Sequence, residues 1–175
     1  MEFQALIVVA IFILLFPLVR FLFRKIRGKG SHRWRRKSAK KTFHKLKNFP
    51  KNSQKIAYLK KIDPFVFEEL ILYSVSQREG VKVQVSDRYT GDGGVDGTFH
   101  ARHNGKKVKV VIQAKRYSGY IKKSHVEEFC EVIDKERADL GLFIHTGKTG
   151  KAVHEVHCPK LRMYSGESLI DFLFK

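Results

Sequence analysis

Cysteine is scarce in this sequence of 175 residues, which holds only Cys130 and Cys158. Two thiols, one in a segment predicted as helix and one in a predicted loop, do not make the disulfide framework of a small secreted domain. A reducing compartment is therefore the simpler assumption. The run from His154 to Cys158 does not predict structural zinc, because such a site needs four ligands in recognisable pairs and the chain offers no second pair.

Acidic residues are absent from residues 24–60, a segment that contains fifteen Lys or Arg. The formal net charge of the chain is +18, and this segment supplies most of the excess. A cationic segment favours polyanionic surfaces, and both acidic lipid and nucleic-acid phosphates are consistent with its charge. Residues 24–61 are interpreted as a basic juxtamembrane linker. Within this segment, the apolar positions of residues 38–60 predict two short helices that are broken at Pro50.

Charged residues are nearly absent from residues 3–23, where Arg20 is the only one. A helix of this length spans about 30 Å, the thickness of the hydrocarbon core of a bilayer. The segment lacks the basic start and cleavage site of a signal peptide, and a buried helix of a soluble protein rarely lacks a polar face for so long. Residues 1–23 are predicted to be a single transmembrane helix. Because its basic flank follows it, the remainder is expected on the cytoplasmic side of the cell inner membrane.

Residues 62–175 are predicted to form one α/β domain. Asp63 and Pro64 are typical of a helix start and predict a helix over residues 63–79. The remaining pattern predicts strands over 81–85, 95–102, 107–115 and 140–144, with helices near 123–137, 148–156 and 167–174. Residues 103–106 are predicted to form the hairpin turn between the second and third strands. This order predicts a mixed β-sheet flanked by helices.

Polar side chains on two neighbouring strands form the candidate site. Asp96 opens the second strand, while Gln113 and Lys115 end the third and lie on one face of the sheet because side chains alternate. The hairpin brings the two strand ends together. Asp96, a helix carboxylate and the Gln113 side-chain oxygen are ligands that suit Mg²⁺, and the Lys115 side chain beside them can orient an attacking water or, as the free amine, deprotonate it.

Four runs of residues carry a pattern that is specific in combination. They are Phe67–Leu70, Gly91–Gly97, Gln113–Arg116 and Gly141–Thr146. In type, order and spacing these runs resemble the catalytic domain of Mrr-type restriction endonucleases, a branch of the PD-(D/E)XK nuclease superfamily. The resemblance covers about residues 62–175 and implies a restriction-endonuclease-like fold.

The resemblance implies a role for each candidate residue. Asp96 would be the metal-binding aspartate, Gln113 would stand where other branches carry a second acidic residue, and Lys115 would be the catalytic lysine. Glu68 would be the helix glutamate that also binds the metal, with Glu69 as a close rival. The implied cofactor is Mg²⁺, with Mn²⁺ as an alternative.

The expected function is a membrane-anchored endonuclease that cuts DNA, similar to a type IV restriction enzyme. Val95 departs from the superfamily motif by replacing its proline, and no DNA-recognition domain precedes the catalytic part in this sequence. A tethered DNA-binding protein without hydrolysis is the alternative function, and a lipid-binding or signalling protein is the third. The sequence leaves open whether the domain forms a homodimer.

Overall fold

The computed structural model of the chain describes residues 32–85, 94–103 and 105–174. Its elements in chain order are α1 over residues 32–47, α2 (Asn52–Leu59), α3 (Pro64–Ser76), β1 (Lys82–Val85), β2 (Gly97–His103), β3 (Lys106–Lys115), α4 (Lys123–Lys135), β4 (Leu140–His145), α5 (Lys151–His154), β5 (Leu161–Tyr164) and α6 (Gly166–Phe174). None of the helices in these ranges has the length and apolar character needed to cross a membrane. The predicted transmembrane segment, residues 1–23, lies outside the described residues.

Two helices lie within the segment interpreted as a linker, and they are separated near Pro50 as predicted. The first, α1, is already helical at residue 32, where the described residues begin. Its residues Ala39, Phe43 and Leu46 are buried together with Leu59 of α2 in the main hydrophobic cluster. Part of this basic segment is therefore packed against the folded domain.

Helix α3 begins where Asp63 and Pro64 predict it. One Asp63 side-chain oxygen, Oδ1, accepts hydrogen bonds from the backbone N–H groups of Phe65 and Val66, at 3.0 and 3.1 Å. Proline at the first helical position costs nothing, because its missing N–H would have had no partner in the helix. This capping fixes the start of the helix that carries Glu68.

The five strands form one mixed sheet in the order β1-β2-β3-β4-β5. Strands β1, β2 and β3 are antiparallel neighbours, whereas β3, β4 and β5 run parallel. Gly105 supplies a positive φ of 77° at the turn between β2 and β3. The predicted mixed sheet flanked by helices is confirmed for the described part of the chain.

Helices cover both faces of the sheet, because alternate residues of β3 and β4 point to opposite sides. On one face, Ile112 and Ile144 pack with residues of α1, α2, α3 and α6. On the other face, Val111 and Phe143 pack with α4 and with Val153 of α5. The central strand β3 is thus buried on both sides up to the polar residues at its end.

Two elements differ from the sequence-based expectation. Strand β5 was not predicted, because its four residues show no clear alternation and its strand state depends on parallel pairing with β4. Helix α5 is shorter than the predicted 148–156. Its start is delayed because Lys148 takes part in a β-bridge with Tyr120 and donates its backbone N–H to the Gly119 carbonyl, at 2.9 Å.

Candidate active site

A cleft of about 430 Å³ opens at the carboxyl end of β3, between the first turns of α3 and α4. All four residues predicted for the site line it: Glu68, Asp96, Gln113 and Lys115. They come from one helix, the residue that precedes β2, and the end of β3. The fold therefore brings together the side chains that the sequence pattern singles out.

Asp96 ties the entrance of β2 to the end of β3. Its backbone N–H donates to the Ile112 carbonyl at 2.9 Å, and its side-chain Oδ2 accepts the backbone N–H of Ala114 at 2.6 Å. A carboxylate that accepts a backbone N–H is held in one orientation. The β2–β3 hairpin thus positions Asp96 and also supplies Gln113 and Lys115, the two residues that flank Ala114.

Gln113 is buried, with only 7% of its surface exposed, and its Oε1 has no hydrogen-bond partner among the described residues. A buried amide oxygen without a partner is costly unless a ligand or water satisfies it. Gly94 approaches the other end of the same amide: a Cβ at position 94 would lie 2.3 Å from Gln113 Nε2. The glycine, with a φ of 88°, leaves room for this side chain.

Glu68 and Glu69 point to different surroundings. Glu68 lines the cleft, and its pKa is raised from 4.5 to about 8, first by burial and then by the negative charge of Asp96. The side chain of Glu69 is 5% exposed, and its Oε1 lies 3.6 Å from Nε of Arg36. Glu69 lines a separate small cleft beside Tyr73. Of the two rivals, Glu68 is the one that lies with Asp96.

Lys115 ends β3, in register with His145 at the end of the neighbouring strand β4. Its side chain is partly exposed and lines the cleft. His145 is fully buried, and burial lowers its pKa to about 4, so its imidazole is neutral near pH 7. His145, the residue paired with Lys115 on β4, therefore adds no positive charge beside the Lys115 ammonium near pH 7.

Tyr117 and His125 complete the wall of the cleft, and the sequence analysis did not single them out. The Tyr117 hydroxyl is hydrogen-bonded to Nδ1 of His125. Burial, followed by the charge of Glu128, raises the pKa of Tyr117 to about 12. Burial and then the nearby Lys115 lower the pKa of His125. The pair thus presents neutral hydrogen-bonding groups near neutral pH.

The donor atoms fit a hard divalent cation. Asp96 and Glu68 offer carboxylate oxygens, and Gln113 Oε1 is a buried oxygen that a cation would satisfy. The mutual repulsion that raises the pKa of Glu68 would also be relieved by positive charge. Within the described residues no three His, Cys, Asp or Glu side chains cluster, and the Gln113 amide adds a further side-chain oxygen to the two carboxylates in the cleft. An all-oxygen set suits Mg²⁺ or Mn²⁺ rather than zinc.

Among solved structures, the chain is similar to the MspJI restriction endonuclease in complex with a 27-mer oligonucleotide, at 20% identity and a TM-score of 0.42. It is also similar to the restriction endonuclease FokI and to the DNA modification-dependent restriction endonuclease AspBHI, each at 15% identity and a TM-score of 0.48. These matches cover 61%, 74% and 71% of this chain, in the same order. The chain spans only 26%, 28% and 35% of those enzymes.

No curated protein matches the chain closely enough to count as a relative. The family model Mrr_cat, described as a restriction endonuclease, matches residues 59–173. That range is more than half of the chain and contains Glu68, Asp96, Gln113 and Lys115. The chain therefore belongs to the Mrr_cat restriction endonuclease family.

Proposed function

We propose that this chain is a metal-dependent endonuclease that hydrolyses phosphodiester bonds of DNA. The observation that carries the proposal is the convergence of Glu68, Asp96, Gln113 and Lys115 in one cleft of a restriction endonuclease domain. Two carboxylates, a buried amide oxygen and an ammonium are the groups that metal-assisted phosphoryl hydrolysis requires. Similarity to a type IV restriction enzyme is part of the same proposal.

Asp96, Glu68 and Gln113 would hold Mg²⁺ or Mn²⁺. When bound, the cation supplies positive charge that offsets the negative charge developing on the scissile phosphate. Asp96 is suited to this role because the backbone N–H of Ala114 already fixes its carboxylate. Glu68 has to lose its proton before it binds a cation, because its pKa is about 8 in the absence of one.

Lys115 would orient the attacking water by donating a hydrogen bond to its oxygen. It is the last residue of β3 and lines the cleft together with Gln113 and Asp96. The neutral imidazole of His145 leaves the local charge to Lys115 and the carboxylates. Tyr117 and His125 also line the cleft and would offer hydrogen-bonding groups to the phosphate oxygens.

The membrane setting belongs to the proposal as well. Residues 1–23 would form a single-pass anchor in the cell inner membrane, with the nuclease domain in the cytoplasm. The support comes from their apolar composition and from the cationic residues that follow them. Anionic lipid near the basic segment and DNA are the proposed partners, and a homodimer that cuts both strands is a further part of the hypothesis.

The test is incubation of the full chain, in a neutral detergent, with plasmid DNA in Mg²⁺, Mn²⁺ or EDTA. Cleavage is expected only with a divalent cation. Asp96→Ala and Lys115→Ala should each lower the rate by about 100-fold or more, and Glu68→Gln should lower it far more than Glu69→Gln.

Glu131→Ala and Lys135→Ala are matched controls, because they remove the same charges from exposed positions of α4. Both should cleave at the wild-type rate. DNA binding without cleavage under any of these conditions would instead support a tethered DNA-binding protein. Full activity of the Asp96→Ala or Lys115→Ala variant would contradict the assignment of the site.

A further inference from the structure

Helix α1 lies outside the residues that the family model matches, yet it is docked on the domain. The Arg35 guanidinium lies 4.0 Å from the centroid of the Phe65 ring, at the start of α3. Further along both helices, the rings of Phe43 and Tyr73 lie 5.2 Å apart. The two helices therefore run in the same direction, with the first turns of α1 beside the first turns of α3.

This arrangement puts the beginning of α1 next to the candidate active site. Phe65 follows Pro64, which lines the cleft, and Glu68 lies one turn further along α3. Burial and Asp96 raise the pKa of Glu68, and Arg35 is the group that opposes this rise. The positive charge of Arg35 on α1 therefore acts on the Glu68 carboxylate in the cleft.

The side of α1 that points away from the core is cationic. The buried positions 39, 42, 43 and 46 mark the inner side of the helix. At 100° per residue, positions 33, 37, 40 and 41 lie on the opposite side. All four are exposed, and they are Arg33, Lys37, Lys40 and Lys41. We name these four residues the outer face of α1.

An aromatic residue extends the same surface. Trp34 is 57% exposed and is the single tryptophan of the chain. Residues 24–60 contain no acidic side chain that could neutralise the outer face from within the helix or its neighbours in sequence. The outer face covers roughly 12 Å of the helix axis, enough to reach several phosphates of a duplex, whose charges lie about 1.7 Å apart along the axis when both strands are counted.

We propose that the outer face of α1 binds the phosphate backbone of duplex DNA beside the scissile bond. The inference rests on the proposed function, because it names the element that holds the substrate of that site. DNA is favoured over lipid since the first turns of α1 lie beside the first turns of α3, and Pro64 and Glu68 in those turns of α3 line the cleft. The contacts are sequence-independent, because phosphates carry no base information.

The test compares two triple variants with equal loss of charge. The first is Lys37→Gln, Lys40→Gln and Lys41→Gln on the outer face, whose side chains contribute nothing to the core. The control is Arg102→Gln, Lys106→Gln and Lys107→Gln, at exposed positions of the β2–β3 hairpin. A ten-residue strand, about 33 Å long, separates this hairpin from the cleft.

The measurement is the Kd of the full chain for a short duplex, by fluorescence anisotropy in neutral detergent and EDTA, over a range of salt concentrations. Loss of three phosphate contacts should reduce the slope of log Kd against log salt by about 2 to 3 and weaken binding at least tenfold at low salt. The hairpin control should keep the wild-type slope. An unchanged slope in the α1 variant, or an equal loss in the control, would overturn the proposal.

Trp34 gives a second measurement at the surface itself. Its emission should change when duplex DNA is added to the full chain in phosphatidylcholine vesicles, and the α1 variant should need at least ten times more DNA for the same change. If emission responds to added phosphatidylglycerol but not to DNA, the outer face binds lipid and the proposal is wrong.

Cleavage separates the two proposals. If the α1 variant loses binding while the wild type binds but never cleaves DNA, the DNA-binding surface stands and the nuclease proposal fails. If the wild type cleaves and the α1 variant has the same KM, the nuclease proposal stands and the surface is wrong.

Discussion

Glu68 and Glu69 are neighbours in sequence, but the fold gives their carboxylates different chemistry. Glu68 lies in the cleft near Asp96 and has a pKa of about 8. Glu69 lies on another side of α3, where Arg36 is 3.6 Å away. Successive residues of a helix differ by 100° in direction, so one faces the site and the other faces α1. The sequence pattern identifies both glutamates as candidates for the site, and the packing of α3 shows that only Glu68 lines the cleft.

The raised pKa of Glu68 predicts how stability depends on pH without metal. Between 4.5 and about 8, the folded protein keeps a proton that the unfolded chain has released, so the free energy of unfolding falls as pH rises. In EDTA, the thermal midpoint should therefore decrease from about pH 5 to about pH 8. Glu68→Gln should remove part of this decrease, whereas Glu69→Gln should retain it.

Mg²⁺ provides the matching control, because cation binding favours the ionised carboxylate. Adding Mg²⁺ at about pH 8 should raise the midpoint of the wild type and of Glu69→Gln, but not of Glu68→Gln. Equal pH profiles for the wild type and Glu68→Gln would show that this carboxyl is not buried beside Asp96.

The site could be predicted where the residues are fixed by local geometry. Asp96, Gln113 and Lys115 share a hairpin, so alternation along the strands and a short turn suffice to bring them together. Tyr117 and His125 could not be found in this way. Their hydrogen bond joins the loop after β3 to the first turn of α4, and no periodicity in the sequence relates the two.

At the scale of elements, the start of α3 determines where Glu68 lies. Asp63→Ala removes the acceptor of two backbone N–H groups and should cost about 1 kcal/mol of stability, measured by urea unfolding in EDTA. Asp63→Asn keeps an acceptor at the same place and should lose much less. Equal losses in both variants would mean that the charge of Asp63, rather than its hydrogen bonds, stabilises the helix.

The elements that the sequence predicts well carry their own local signals. The Asp-Pro start defines α3, and the Gly-containing turn defines the β2–β3 hairpin. Strand β5 lacks such a signal, and so do the first turns of α1, before residue 38. Four residues, of which Arg162 is exposed, become β5 by pairing with β4, and the basic run after residue 31 is helical where it docks on α3 through Arg35 and Arg36. These contacts join residues far apart in sequence, which local patterns do not encode.

At the scale of the whole molecule, the charge is divided between regions of the chain. Residues 1–23 have one acidic and one basic residue, residues 24–60 have fifteen cations and no acid, and the remainder is nearly balanced. Part of the cationic segment packs on the domain as α1. The proposed membrane attachment can therefore rest on either of two interactions: apolar burial of the first segment, or pairing of the second segment with anionic lipid.

Salt distinguishes these two attachments. Charge pairing is screened within roughly 3 Å at about 1 M salt, whereas burial of an apolar helix is not weakened by salt. The full chain should therefore stay with the membrane fraction during a wash with about 1 M NaCl and leave it only in detergent. A variant without residues 1–23 should be released by the same wash, because only its cations remain to hold it.

Since the family match begins at residue 59, this variant should still cleave DNA in solution. Release of the full chain by salt alone would contradict the anchor, and loss of cleavage in the shortened chain would mean that the segment is part of the fold.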